Sequence, residues 1–307
     1  MALFLLVYDC MVVCACNRWS NICILPDCSV QEQGSWRYIY VRVTYSRLKH
    51  FLATLLPFLI FLALWQLVSF SVESLRGVPF PTPWQTFVRL GELASGQPLS
   101  DALLYRHIGD SLLRWLAGFG IAALCGLFYG LLAGLYHRLE IATGQILNLL
   151  QLIPGLAWIP IAILIFGIGE SATIFMITMA ALPPIAITVL AGVKHLDVTY
   201  LRAARMLGAG NRVIFFQVLL PGSLPATLSG LRVGMGNSWR VLLAAEMVVG
   251  TGTGLGFSIV ESRWNLDYSA AFACLVVIAL IGMVMEYGLF KPIERRTMKR
   301  YLLRREL

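Results

Sequence analysis

Asn237, Ser238, Trp239, Arg240 and Glu246 fall within an otherwise apolar stretch, residues 226–249. A guanidinium in such a run can attract an anion or pair with an acid on another segment. A neighbouring amide and hydroxyl can share in binding a polar solute. Counted from Ala226 along a helix, Arg240 lies about 21 Å in and Glu246 about 30 Å in, near the far end. Six positions apart, they are separated by about 240° of rotation and cannot easily pair with each other. Arg232 lies near enough to the starting edge to snorkel out. For Arg240 three readings stand open: an ion pair or helix-end carbonyls elsewhere in the protein, a place on the path of an anionic or polar solute, and a lipid-interface position. Asn237, Ser238, Arg240 and Glu246 are the candidate path residues.

A second group lies in the connection 194–225. Leu201, Arg202, Ala203, Ala204, Arg205, Met206 and Leu207 suit a short helix, and Gly208 suits its left-handed stop. Leu201, Ala204 and Leu207 are expected close to one face. An apolar face on a short basic helix must be buried by its own bundle, by the membrane interface or by a partner protein.

Other chemistry is missing from the sequence. The lysines are Lys49, Lys194, Lys291 and Lys299, and none follows a glycine, so no phosphate-binding G-x-x-x-x-G-K-[ST] loop exists. His50, His107, His137 and His195 are scattered, and neither H-E-x-x-H nor G-x-S-x-G occurs. If ATP drives this protein, ATP and magnesium are expected on another chain, with no cofactor on this one.

The elements that carry these groups are membrane spans. The chain has 307 residues, 58% hydrophobic and 13% charged, with mean hydropathy +0.76. Soluble domains carry about 25% charged residues, so the bilayer is the natural solvent. Apolar stretches cover about 51–70, 112–135, 146–168, 172–193, 226–249 and 269–290. Each is near the ~20 residues that a spanning helix needs. Backbone groups in lipid must be satisfied within the segment, so the expected class is all-α, a polytopic bundle of six transmembrane helices.

The net charge of +8 is distributed as a topology signal. Arg37, Arg42, Arg47, Lys49, Arg138, Lys194, Arg202, Arg205, Arg212 and the tail Lys291, Arg295, Arg296, Lys299, Arg300, Arg304 and Arg305 fall on one side. Arg76, Arg89, Arg106 and Arg263 fall on the other. The basic side is read as cytoplasmic, with both termini inside. No pattern of interleaved basic and aromatic residues suggests nucleic acid.

Ala122, Gly126, Gly130 and Gly134 repeat at every fourth position, and Gly230, Gly234 and Ser238 repeat the device. Such stripes let helix backbones approach closely. Pro154, Pro160, Pro183 and Pro184 are expected to kink the third and fourth spans.

Residues 1–45 break with this composition and read as an N-terminal extension, disordered or upstream of the true start. They hold Cys10, Cys14, Cys16, Cys23 and Cys28 at spacings that match no common zinc pattern. Deleting residues 1–40 is expected to leave folding and transport intact; a truncated chain that fails to insert or to transport would contradict this.

The loop 194–225 resembles that of ABC importer permeases, whose motif there is E-A-A, three residues, G, nine residues, I, one residue, L-P. This chain has Ala203, Ala204, Gly208, Val218, Leu220 and Pro221 at matching spacing, with Arg202 at the glutamate position. Segments 166–170, 191–193, 219–225, 230–232 and 244–246 extend the likeness to the branch for sulfonates, taurine, nitrate and bicarbonate. The resemblance implies a type I importer fold over residues 46–307, in a bacterial inner membrane. It implies a permease homodimer or pseudo-symmetric pair, two cytoplasmic ATPase subunits and an extracytoplasmic solute-binding protein. It also implies that Leu201, Arg202, Ala203, Ala204, Leu207, Gly208 and Pro221 belong to an ATPase-coupling loop. The rival reading is an ion-coupled secondary transporter or channel, in which paired broken helices in inverted halves are common. No clear internal repeat is visible. A membrane enzyme would need clustered His, Asp or Ser within the spans.

Overall fold

The structure is a computed structural model that describes residues 36–99, 102–250, 252–295 and 297, with side chains from residue 55 onward. Residues 1–35 of the expected extension, Arg296 and the basic tail beyond residue 297 lie outside it. The chain forms two units, Met1–Phe61 and Leu62–Leu307. Of the first, what is described is helical backbone from Trp36 onward, so the expected boundary at residue 45 falls inside a helix.

Helix α1 covers Trp36–Arg76, and α2, Pro83–Ala94, follows it. A two-residue hairpin, Pro98–Leu99 with Ala102–Leu103, leads into α3, Leu104–Leu135. Then come α4, His137–Leu152, and α5, Ile159–Phe166, followed by the long α6, Glu170–Lys194. The loop holds α7, Val198–Met206, and α8, Asn211–Ile214. Helix α9 is Leu220–Val249, α10 is Leu255–Trp264 and α11 is Tyr268–Met283. Among the described residues, five segments are long and apolar enough to span alone: Leu55–Arg76, Leu104–Leu135, Glu170–Lys194, Asn211–Val249 and Tyr268–Arg295.

The expected third span is not one straight helix. His137–Leu152 and Gly155–Phe166 meet at 103°. Pro154 has no N–H for the carbonyl of Leu150 and pushes Ile153 out of the helical region, to ψ 119°. Pro160 stands in the first turn of α5, where proline is tolerated. Pro183 and Pro184, in contrast, lie inside a continuous α6. The fifth span also starts earlier than residue 226. A π-turn, Phe215–Leu219, joins α8 to α9, with the Leu220 N–H bonded to Phe215 O. Pro221, one residue on, has no N–H for Gln217 O, which favours the wider turn.

Helix α6 is the centre of the bundle, held between α3 and α9 by the two small-residue stripes. A Cβ on Gly126 would stand 2.9 Å from Ile185 Cγ2, and one on Gly130 would stand 2.7 Å from Val189 Cβ and 2.8 Å from Ala186 O. On the opposite side, a Cβ on Gly234 would stand 2.7 Å from Ile185 Cγ1. Ile185 is fully buried between the two stripes. Gly120, on the same helix α3, has nothing within 4 Å of its Cβ position. Gly130→Ala is therefore expected to destabilise the subunit by about 1–3 kcal/mol through overpacking. Gly120→Ala should be neutral or stabilising by about 0.5–1 kcal/mol. Thermal unfolding of the two variants in detergent reads the difference, and equal stability would contradict the packing described.

Candidate functional site

The loop that follows α6 is built by local hydrogen bonds. Asp197 caps α7, its carboxylate accepting from the Thr199 N–H at 2.8 Å. The hydroxyl and amide of Thr199 hold this carboxyl below its usual range. At the other end, Gly208 N donates to Arg205 O at 3.0 Å and Ala209 N to Ala204 O at 3.0 Å. This pair of bonds is a Schellman stop, and it requires a left-handed residue, here Gly208 at φ +77°.

The stop settles which side chains look outward. Leu201 and Ala204 are half-buried and pack toward Val193, Ile214 and Leu219. Arg202, Ala203, Arg205 and Gly208 are exposed. Met206 and Leu207 are 87% and 88% exposed. The single face expected for Leu201, Ala204 and Leu207 is thus divided. The chain reverses after Met206, so Leu207 turns away, and Ala203 is the alanine presented outward. Pro221 lies half-buried beyond the π-turn. Lys194, at the start of the loop, pairs with Glu140 of α4, and His137 lies 3.2 Å from the same carboxylate.

The expected path residues also divide. Asn237 and Arg240 line a cavity of about 240 Å³ at the break between α4 and α5. Gln151, Pro154 and Gly155 form its wall on the broken segment, and Met179, Ala180, Pro183 and Pro184 form its wall on α6. The two prolines carry no N–H, so the carbonyls of Met179 and Ala180 lose their usual donors four residues on. Arg240 Nε donates to Gly236 O at 3.0 Å and Nη2 to Asn237 Oδ1 at 2.8 Å. Arg240 is exposed, and no ion pair found among the described residues uses it.

Ser238 and Glu246 are not in the cavity wall. Ser238 is fully buried, accepts from Trp115 Nε1 at 3.0 Å and donates to Met235 O at 2.9 Å. Glu246 is 1% exposed. Its carboxylate accepts from Ser111 Oγ at 2.8 and 2.9 Å, from Arg114 Nη1 at 3.0 Å and from Gly256 N at 3.0 Å. The polar atoms of both are engaged inside the protein, on Ser111, Arg114 and Trp115, where they hold α9 against α3.

Arg114 is the residue that sequence reading passed over. It also reaches Glu170 at 3.2 Å, Thr253 O at 2.8 Å and Thr253 Oγ1 at 3.0 Å. It thereby ties α3, α6, α9 and the segment before α10 together. Gly254, at φ +129°, lies where a Cβ would stand 2.5 Å from the Glu246 carboxylate. An arginine inside an apolar stretch was the available signal, the same one that marked Arg240.

Residues 98–299 match the family described as binding-protein-dependent transport system inner membrane component. The chain is 35% identical to the taurine transport system permease protein TauC of Escherichia coli, over 77% of this chain and 85% of that one. It is 31% identical to the nitrate import permease protein NrtB of Leptolyngbya laminosa, over 76% and 82%. It is 32% identical to the bicarbonate transport system permease protein CmpB of Synechococcus elongatus, over 74% and 82%. Among solved structures, the fold is similar to an inward-facing MetNI methionine ABC transporter chain, with TM-score 0.51 and 24% identity, over 63% of this chain and 95% of that one.

Proposed function

The chain belongs to the inner-membrane components of binding-protein-dependent transport systems, and from that premise we propose that it carries a small oxyanion past Arg240. It is the membrane-spanning permease subunit of an ABC importer, a multi-pass protein of the inner membrane that works with an ATPase and a binding protein. The relatives' names include taurine, nitrate and bicarbonate. What these solutes share is a compact delocalised anionic group, which suits a guanidinium with an amide beside it. The observation that carries this reading is Arg240, exposed beside Asn237 in a cavity lined by the broken third span. A cation at membrane depth is expensive against lipid and acceptable against a water-filled path.

The finer assignments belong to the same proposal. This chain faces a second copy, or a pseudo-symmetric permease, across the path, and both termini are cytoplasmic. ATP and magnesium sit on the partner ATPases, with no cofactor on this chain. The exposed end of α7, with Arg202, Ala203, Leu207 and Gly208, seats on the ATPase, while Leu201, Ala204 and Pro221 hold it to the bundle.

Arg240→Gln is expected to preserve assembly and the stimulation of ATP hydrolysis by loaded binding protein, and to slow anion uptake at least tenfold, equivalent to about 1.4 kcal/mol. Arg240→Lys should retain more uptake, because a point charge serves in part. Uptake assays in proteoliposomes measure both. Normal uptake in both variants would remove the arginine from the path.

A further inference from the structure

Helix α2 carries two apolar faces, and one of them is uncovered. Thr86 and Leu93 are buried and Leu90 packs with them into the core. Trp84, Phe87 and Val88 lie on another face, 76%, 44% and 44% exposed. With Gly91 they recur at i, i+3, i+4 and i+7, the spacing of one helical stripe. Gln85, Arg89 and Glu92 form a polar edge between the faces, at i, i+4 and i+7.

The place of the stripe follows from three contacts. The connection after α1 doubles back along that helix: Ser69 Oγ donates to Phe80 O at 2.7 Å and Trp65 Nε1 to Pro81 O at 3.1 Å. Trp65 is about three turns before the end of α1, so α2 begins beside the span and not beyond it. The neighbouring side chains of α1, Leu64, Leu67 and Phe70, are exposed at the same level and form an apolar surface on a segment long and apolar enough to span a membrane. Arg89 pairs with Asp267 at 2.9 Å, and Asp267 caps the first turn of α11, where that span leaves the membrane. The polar edge of α2 is thereby fixed at the end of one span while its apolar stripe continues the exposed apolar surface of another.

We propose that α2 is an interfacial helix whose stripe of Trp84, Phe87 and Val88 is buried in lipid, at the boundary between headgroups and acyl chains. Tryptophan favours this boundary because its ring is apolar and its N–H is polar. The capping box pairs the N–H groups of Thr82 and Gln85, Thr86 N donates to Thr82 O and Pro83 has no N–H, which lowers the cost of placing this end of α2 in that layer.

The test uses the full chain assembled with its partners in bilayers that contain lipids brominated at defined depths. The emission of Trp84 is obtained as the difference between the wild type and Trp84→Phe. The expected result is quenching strongest for shallow bromines, at a depth of about 5–10 Å, with little quenching by aqueous iodide. Strong iodide quenching without bromolipid quenching would overturn the proposal in favour of an aqueous docking face. Protection from both quenchers would overturn it in favour of a protein partner, including a second copy of this chain. A nitroxide on Val88→Cys gives an independent reading: collisions with oxygen should exceed those with a water-soluble nickel chelate, and the reverse order would also overturn it.

Discussion

Gly208→Pro is expected to abolish solute uptake while the subunit still inserts and assembles. The backbone at residue 208 stands at φ +77°, and proline is confined near −65°. Proline also removes the N–H that Gly208 donates to Arg205 O. The Schellman stop must then open, and Leu207 and the outward face of α7 change direction together. The damage stays local, because α7 has no fully buried residue. Gly208→Asn makes the informative control, since asparagine tolerates the left-handed region better than other residues with a side chain. It should keep a measurable share of uptake. The paired readout is ATP hydrolysis by the assembled complex against uptake, with cross-linking from Leu207→Cys to the ATPase. Loss of uptake and cross-linking with insertion intact is the expected outcome. Full uptake by Gly208→Pro would end the assignment of this loop to coupling.

Arg114→Met is expected to cost about 3–5 kcal/mol and to sharply lower the yield of folded subunit. The variant leaves the Glu246 carboxyl buried and short of its cationic partner, with side-chain exposure of 0%. It also frees Thr253 and Glu170 from their shared donor. Arg114→Met combined with Glu246→Met should be less damaging than the sum of the single changes, because no unpaired charge is left behind. The measurement is a double-mutant cycle on thermal unfolding in detergent. Additive losses would show that the two side chains are not coupled in the way their 3.0 Å contact indicates.

The parts of this architecture that were legible in the sequence are those with short-range periodicity. Ala122, Gly126, Gly130 and Gly134 recur every four residues, and that spacing alone places them on one helical face. Asp197 and Gly208 mark the ends of α7 by the same local logic. The span lengths follow from the thickness of the bilayer. Pro154 announced a break but not its size, because proline removes one donor while the surrounding packing sets the 103° bend. Here Gly155 packs so closely on Val241 that a Cβ would stand 2.3 Å from its Cγ2.

Long-range pairing was not legible. Arg114 and Glu246 are 132 positions apart, and no spacing rule joins them. Reading Glu246 as a path residue followed from depth alone, and depth cannot tell a solute-facing carboxylate from one enclosed by Ser111, Arg114 and Gly256. The division of Ala203 from Ala204, one outward and one inward, has a similar origin. The apolar residues that draw Ala204 inward, Val193, Ile214 and Leu219, include two beyond the Gly208 turn.

As proposed, this chain forms the path of an ATP-driven importer for a small oxyanion. Its most direct test is uptake into proteoliposomes that hold the chain with its ATPase, with binding protein outside and ATP inside. Radiolabelled sulfonates, nitrate and bicarbonate are offered in turn. The expected result is accumulation of at least one of these anions that requires both ATP and binding protein and persists when ionophores collapse the ion gradients. Accumulation without ATP, driven by an imposed ion gradient, would contradict the claim and favour an ion-coupled carrier.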